Sequence, residues 1–466
     1  VETHQSSGDL AVSDANLDLI TADYGQVGAV PIYDQSSNSD EELRSLQSTF
    51  SHWVKNFKGR PRIVILGGGF GGLAAAKALG KHAEITVVDR NNYQTFLPLL
   101  YQVSTAGIAA DHVAFPIRGA IRKYHAKFRM GSPISVDHKN KTVKLDSSEL
   151  IPFDFLIVAM GTVTADFGIP GVHEYALGMK TVQESLLIRS EVMRRFEDLC
   201  RFEDNTRLTL AIVGGGPTGV EMAGALAELR DGPLRRDNSA ASKHIDVHLI
   251  EAGPRLLPMF SEKLTTKAKN ELEKMNVHVM LNTAVKSIDH GVINFADGTS
   301  LPSDVIVWAA GVKGAPAINN LGVQVEANRL KTDQTLQVSH YPYIFAVGDV
   351  AGAKGVNGRY LPQVAPVAMQ QGRFVAKQIV RLLHGKKLKE FSYKDKGSMA
   401  TIGRHKAIIQ VKGIKISGPI AWFGWLFLHL FYLMGGRNQI GTIVDWSWNY
   451  LTFDRGNRHI MDMSEH

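Results

Sequence analysis

Two glycine clusters, each followed by a carboxylate, are the strongest chemical signal in the chain. Gly67, Gly69 and Gly72 keep the spacing G-x-G-x-x-G within Gly67-Gly68-Gly69-Phe70-Gly71-Gly72, and Asp89 follows roughly 20 positions later. Gly214, Gly216 and Gly219 repeat the spacing within Gly214-Gly215-Gly216-Pro217-Thr218-Gly219, with Glu251 downstream. This pattern suits a dinucleotide. The first glycine allows a tight turn, the second lets a pyrophosphate approach the backbone at a helix N-terminus, and the third lets helix and strand pack closely. The carboxylate at the next strand end takes ribose hydroxyls. One cluster alone would also fit a glycine-rich turn with no ligand. Two complete copies predict two dinucleotides and an exchange between them.

Glu251 bears on which nucleotide binds the second cluster. A carboxylate there accepts a ribose 2′-OH and repels a 2′-phosphate, which favours NADH over NADPH. Arg255 nearby pulls the other way. Further candidates stand at strand ends, where open α/β sheets bind ligands. Gly161 closes the apolar run Ile151–Ala159, Gly311 closes Val305–Ala310, and Gly348-Asp349 follows Tyr343–Val347. Asp349 could reach a flavin's ribityl hydroxyl, or serve as a helix N-cap. The helix predicted from Ala365-Pro366 to about Leu383 would aim its N-terminal dipole at negative charge, as on a reduced flavin ring.

The elements that must hold these residues read as strand, turn, helix, strand. Arg62–Leu66 is a buried strand, Leu73–Leu79 a small-residue helix, and Glu84–Asp89 a second strand. Leu208–Val213, Val220–Leu229 and Asp246–Ile250 repeat the series, with a polar insertion at Asp231–His244. The fold class is therefore α/β, with two Rossmann-like units.

The 466 residues allow about three domains, and 44% hydrophobic with 21% charged residues is ordinary for a globular chain. The net charge of +7 is unevenly spread. Residues 1–50 carry nine acids against one base, Arg44, leaving 51 bases and 36 acids in the remainder. Such a body favours anionic cofactors or an anionic membrane surface. Its bases are not interleaved with aromatics as in a nucleic-acid reader. Cys200 is the single cysteine, which excludes disulfides and cysteine-ligated zinc or iron–sulfur sites within one chain. The 17 histidines show no metal-ligand spacing, so no metal is expected. Residues 1–58 read as a disordered acidic arm; two weak apolar patches, Leu17–Ile20 and Val27–Ile32, offer a docking alternative.

The C-terminal stretch differs in character. Ile420–Met434 is apolar around nearly the whole helical circumference, yet as a helix it would span only about 22 Å, short of a roughly 30 Å hydrocarbon core. Lys406, Lys412, Lys415 and Arg437 flank it, and Ile440–Phe453 adds Trp446, Trp448, Tyr450 and Phe453. Aromatics with flanking bases suit the headgroup level, so a helix pair lying in one leaflet is expected. A dimer interface, a buried core helix and a spanning helix are the alternatives.

Together these features resemble the two-dinucleotide-binding flavoproteins. Within them, several segments resemble type II NADH dehydrogenase, the single-subunit NADH:quinone oxidoreductase. They are Phe96-Leu-Pro-Leu-Leu-Tyr-Gln102, Gly214 to Gly224, Glu251-Ala-Gly-Pro-Arg-Leu-Leu-Pro258, the helix start Ala365–Gln371, and the Trp-rich C-terminal pair. The resemblance covers about residues 60–458. It implies FAD on Gly67–Gly72, Asp89 and Arg90, with Gln94 near it and flavin contacts from Gly161, Asp349 and the Ala365-Pro366 backbone. It implies NADH on Gly214–Gly219 and Glu251, with Gly311 near the nicotinamide. The domains would be an arm at 1–58, an FAD-binding domain at 59–170 and 313–405, an NADH-binding domain at 171–312, and a membrane-association segment at 406–466.

The resemblance also implies hydride transfer from NADH to FAD and two electrons on to a membrane quinone, without proton pumping. The enzyme would be a peripheral homodimer on the inner face of a respiratory membrane, bacterial rather than mitochondrial. Glu221 matches the family's acid near the nicotinamide–flavin junction. It is the candidate for moving a proton to the quinone; the rival role is structural, an acid in the first turn of a helix. Many members carry Ala-Gln where this chain has Ala365-Pro366. Pro366 cannot donate a hydrogen bond, so Gln370 is expected to face the quinone instead. The competing readings are a soluble NADH-dependent reductase of a small electron-transfer protein and a nucleotide-sensing membrane adaptor. Disulfide reductases, sulfide:quinone oxidoreductases and NADH peroxidases need cysteines that this chain lacks near the flavin.

Overall fold

The computed structural model describes residues 50, 53, 54, 56–201 and 206–461. Strand β1 (Arg62–Leu66) runs into helix α1 (Phe70–Leu79) and returns as β2 (Glu84–Asp89). A short helix, α2 (Leu100–Ser104), follows and is fully buried. The first sheet has six strands in the order Gln337–Val338, Tyr341–Ala346, Phe155–Val158, β1, β2, Lys127–Met130. All neighbours pair in parallel except the antiparallel edge strand Gln337–Val338. Its central strands are continuous apolar runs because both faces of a parallel sheet are covered.

The second unit repeats the plan. Strand β3 (Leu208–Val213), helix α3 (Pro217–Leu229) and strand β4 (Ile245–Ile250) form its heart. Its five strands are all parallel, in the order Leu177–Gly178, Val305–Trp308, β3, β4, Val277–Met280. The chain crosses between the units twice, at Thr162–Thr164 and Val312–Gly314, and these crossings pair as an antiparallel ribbon. The strand-end glycines Gly161 and Gly311 immediately precede the two ribbon strands. Both have left-handed backbones, at φ 68° and 108°.

The chain rejoins the first sheet at Gln337–Val338 and Tyr341–Ala346, continues as helix α4 (Ala365–Leu383) and enters the C-terminal unit. That unit opens on strand β5 (Ser398–Gly403), which pairs with Lys406–Val411 and through it with Ile414–Ser417. Helices α5 (Pro419–Tyr432) and α6 (Gly436–Thr452) follow. The expected boundary at 405/406 therefore cuts a hairpin in its turn; the unit begins at Ser398. Among the described residues no helix is long and apolar enough to cross a membrane.

The expected arm also ends earlier than residue 58. Phe50 and Val54 are buried in the first unit, with the Phe50 ring edge-on to Phe155 at 5.7 Å and the Lys141 ammonium 5.0 Å from the Trp53 ring. Packing the aromatics of this segment removes apolar area from water, which outweighs the polar character of the stretch before it. The remainder of the expected arm, residues 1–49, lies outside the described residues.

Candidate active site

The two glycine clusters share their main geometry. Gly67 and Gly214 hold φ of 109° and 118°, which a side chain would strain. A Cβ on Gly72 would stand 1.9 Å from the Gly67 carbonyl oxygen, and one on Gly219 1.9 Å from that of Gly214. Around Gly69 and Gly216 nothing lies within 4 Å of a Cβ position, which leaves each helix N-terminus open. The amide of Gly68 donates to Asp89 Oδ2 at 2.6 Å, and that of Gly215 to Glu251 Oε2 at 2.6 Å. Each carboxylate thus seals its turn and is fixed beside the glycine cluster. Asn91 and Gly253 donate to the second oxygens of Asp89 and Glu251. Burial pushes the Asp89 pKa up, against the pull of its backbone donors and of Arg90. Arg255 donates to the Pro258 carbonyl at 3.1 Å. Tight turn, open approach and close packing are what a dinucleotide requires, so the residues present fit FAD and NADH.

Helix α4 lies across α1, and the contact is glycine on glycine at Gly372 and Gly71. Gly71 also abuts Val347, beside Gly348 at the end of the strand Tyr341–Ala346. Ala365 and Pro366 open α4, with no side chain capping its N-terminus. Proline suits this place, since the first turn needs no donor from it. Gly348, at φ 72°, donates its amide to Gln371 Oε1 at 2.6 Å. Asp349 is not a helix N-cap: it sits in the short turn Gly348–Val350 and accepts from Thr162 Oγ1 at 3.2 Å. Burial raises its pKa, while Lys180 and Arg329 favour its ionised form. Gln94 is buried and donates to the Thr95 carbonyl, but its Oε1 has no partner. A buried acceptor left free in this way marks room for a donor.

Gln370 departs from expectation. Its Nε2 donates to the Lys394 carbonyl at 2.9 Å and its Oε1 accepts from the Lys394 amide at 3.0 Å. Both ends of the amide are thereby held on an exposed loop, and it is Gln371, one residue on, that turns inward. Adjacent helical residues point about 100° apart, so a one-residue choice changes the face. Gly311 meets the Phe167 ring, which would stand 2.7 Å from a Cβ there.

Glu221 is the fifth residue of α3, beyond the first turn, so a first-turn dipole contact does not explain it. Its side chain is buried between α3 and the C-terminal unit. Gly224, one turn on, lets β5 come so close that a Cβ would stand 1.8 Å from the Ile402 carbonyl oxygen. That approach brings the Thr401 amide to Glu221 Oε1 at 3.3 Å. Burial pushes the carboxyl up to about 8, with the Thr401 amide and the Trp425 indole pulling it back. At neutral pH the group therefore favours its protonated form. Tyr101 of α2 is buried nearby, and its hydroxyl is pushed up by burial and by Glu221. Thr401 and Trp425 were not singled out in the sequence. The one signal was the Trp422–Trp425 stripe at helical spacing.

Comparison with known proteins agrees with this arrangement. Residues 61–372 match the family model described as pyridine nucleotide-disulphide oxidoreductase, and residues 396–455 match the NDH2 C-terminal domain. The chain is 38% identical over 432 residues to the type II NADH:quinone oxidoreductase Ndh of Mycobacterium tuberculosis, covering 86% of this chain and 91% of that one. It is 31% identical over 379 residues to the type II NADH:quinone oxidoreductase of Staphylococcus aureus, covering 78% of this chain and 93% of that one. Among solved structures, NDH2 from Plasmodium falciparum in complex with NADH superposes with a TM-score of 0.78 at 21% identity, over 87% of this chain and 100% of that one. A ferredoxin reductase from Rhodopseudomonas palustris shares the fold at a TM-score of 0.60 and 18% identity, over 84% of this chain and 100% of that one. The chain belongs to the type II NADH:quinone oxidoreductases, FAD-dependent enzymes that pass electrons from NADH to a quinone.

Proposed function

We propose that this chain works at a membrane surface, with FAD held on the Gly67 cradle, NADH on the Gly214 cradle, and quinone drawn from the lipid toward Glu221. FAD, when bound, supplies the two-electron relay that no side chain offers. In this reading Asp89 and Glu251 take the ribose hydroxyls. Gly161, Asp349 and the Ala365-Pro366 backbone lie along the flavin, and Gly311 faces the nicotinamide. Glu221 holds the proton for the quinone. The uncapped start of α4 favours negative charge on the reduced ring.

The observation that carries the membrane reading is the outer face of α5. Ile420, Phe423, Phe427 and Phe431 are all exposed, while Ala421, Trp422 and Trp425 on the other face are buried. The helix is therefore sided, with its bulky apolar stripe left to solvent. On α6, Ile440, Ile443, Val444, Trp448 and Leu451 are also exposed. Such contiguous patches mark interaction surfaces, and a lipid leaflet is the apolar phase in which a quinone is found. The cytoplasmic face of a bacterial respiratory membrane, where NADH is available, completes the reading. A homodimer joined beside this surface accords with the family resemblance. Flotation of the holoenzyme with anionic lipid vesicles tests it: co-migration with the vesicles is expected, and a protein that stays at the bottom of the gradient refutes it.

A further inference from the structure

Quinone reduction consumes two electrons and two protons. A hydride from NADH brings two electrons and one proton, so one further proton per turnover comes from water. Glu221 is buried, and the nearby outer face of α5 is apolar. The structure must therefore offer this proton a way in from the aqueous side.

We propose that a small polar cavity beside Glu221 holds water that carries this proton inward, with the Glu228–Arg455 pair at its outer end. This rests on the reading of Glu221 as the proton donor to quinone. The cavity has a volume of about 50 Å³ and is lined by Glu221, Tyr101, Ala225, Trp425, Glu228 and Arg455 among others. That is room for more than one water.

Helix α3 builds the route through its own spacing. Glu221, Ala225 and Glu228 stand at i, i+4 and i+7, on one face. The two carboxylates lie two turns apart, about 10 Å along the axis. Ala225 between them leaves the space that a larger residue would fill. Glu228 is 28% exposed at its side chain and Arg455 12%, so this end reaches solvent. Arg455 Nη2 pairs with Glu228 Oε2 at 3.0 Å, while Nη1 donates to the carbonyls of Thr105 and Ala225. Arg455 is thereby a fixed post, and Glu228 is anchored beside it by the Arg404 amide, which donates to Oε1.

Two polar groups along the cavity call for water. Trp425 is 1% exposed, and its Nε1–H faces the Glu221 carboxyl but stops short of a well-formed hydrogen bond. A buried donor of this kind is satisfied by an ordered water. Tyr101 accepts from Gln102 Nε2 at 2.9 Å, and Gln102 in turn accepts from Trp446 Nε1 at 2.7 Å. That chain orients the Tyr101 hydroxyl as a donor toward the cavity. The other charged or titratable groups packed here are Arg404 after β5 and Tyr450 of α6, with His429 and His405 against the Trp425 and Trp422 rings.

The test is an anaerobic single turnover of the holoenzyme with NADH and then a short-chain quinone, from pH 6 to 9. Ala225→Leu fills the cavity, Ala225→Ser keeps its volume, and Glu228→Gln removes the outer carboxylate. Flavin bleaching by NADH should be unchanged in all three. Recovery on adding quinone should slow about tenfold in Ala225→Leu and Glu228→Gln, more at high pH, and not in Ala225→Ser. Crystallographic density should show water in the wild-type cavity and none in Ala225→Leu. Wild-type recovery in either Ala225→Leu or Glu228→Gln overturns the route; should Ala225→Leu fail to bind flavin, Glu228→Gln decides. Glu221→Gln separates the two levels of the argument. If it recovers slowly while both cavity variants are normal, the route alone is wrong; if it recovers normally, the reading of Glu221 is wrong as well.

Discussion

Gly372 of α4 rests directly on Gly71 of α1: a Cβ on Gly372 would stand 2.2 Å from the Gly71 carbonyl oxygen. The contact brings the start of α4 beside the first glycine cradle, so two helix N-termini converge on one region. Both partners belong to rigid elements, and neither backbone can yield cheaply. Gly372→Ala should cost about 1–3 kcal/mol by overpacking. It should also weaken FAD retention, because the shift opens the α1–α4 angle. Thermal unfolding and the flavin-to-protein absorbance ratio after gel filtration check this; unchanged values in both contradict it.

The Glu221 carboxyl links function and stability to pH. Its folded-state pKa is raised from 4.5 to about 8. Between those values the folded state holds a proton that the unfolded state has released. Stability therefore falls as pH rises through this window, and the loss is complete above about pH 8. Glu221→Gln removes the titration. The variant should gain stability relative to wild type at pH 8.5 and differ little at pH 5, as read by denaturant midpoints. A constant difference across that range would show that another group carries the effect.

Glu251 should set the choice of nicotinamide cofactor. Its oxygens are held by Gly215 and Gly253 at 2.6 Å each, so in the proposed binding mode the carboxylate is fixed where the ribose would lie. Glu251→Gln keeps the acceptor but removes the repulsion of a 2′-phosphate. The ratio of kcat/KM for NADPH over NADH should rise about tenfold. An unchanged ratio would place discrimination elsewhere.

Replacing Phe423, Phe427 and Phe431 together by Ser should release the enzyme from vesicles. Each buried phenyl ring contributes about 1.5–3 kcal/mol to partition into an apolar phase. All three are exposed and none supports the core, so folding and NADH oxidation with a water-soluble quinone should persist. Vesicle binding that survives the triple change would assign the membrane contact to α6.

The glycine cradles were legible because their logic is local. Turn, open approach and close packing are encoded within six residues, and the strand-end acid follows from the length of one helix. The setting of Glu221 was not legible, since its amide partner Thr401 lies 180 positions away. Only the approach of β5 at Gly224 creates that burial. Gln370 and Gln371 show a different limit: both are polar, and a single residue of helical phase decides which turns inward. The start of the C-terminal unit was not legible because no motif marks the turn that pairs Ser398–Gly403 with Lys406–Val411. Phe50 and Trp53 were hidden by averaging them into an acidic stretch that ends before them.

The most direct measurement is a stopped-flow comparison of wild type and Glu221→Gln at neutral pH, following flavin absorbance. NADH should bleach both at the same rate, because Glu221 takes no part in hydride delivery. Quinone should restore the colour of the wild type promptly and that of the variant about a hundredfold more slowly. Equal recovery rates in the two proteins would contradict the account.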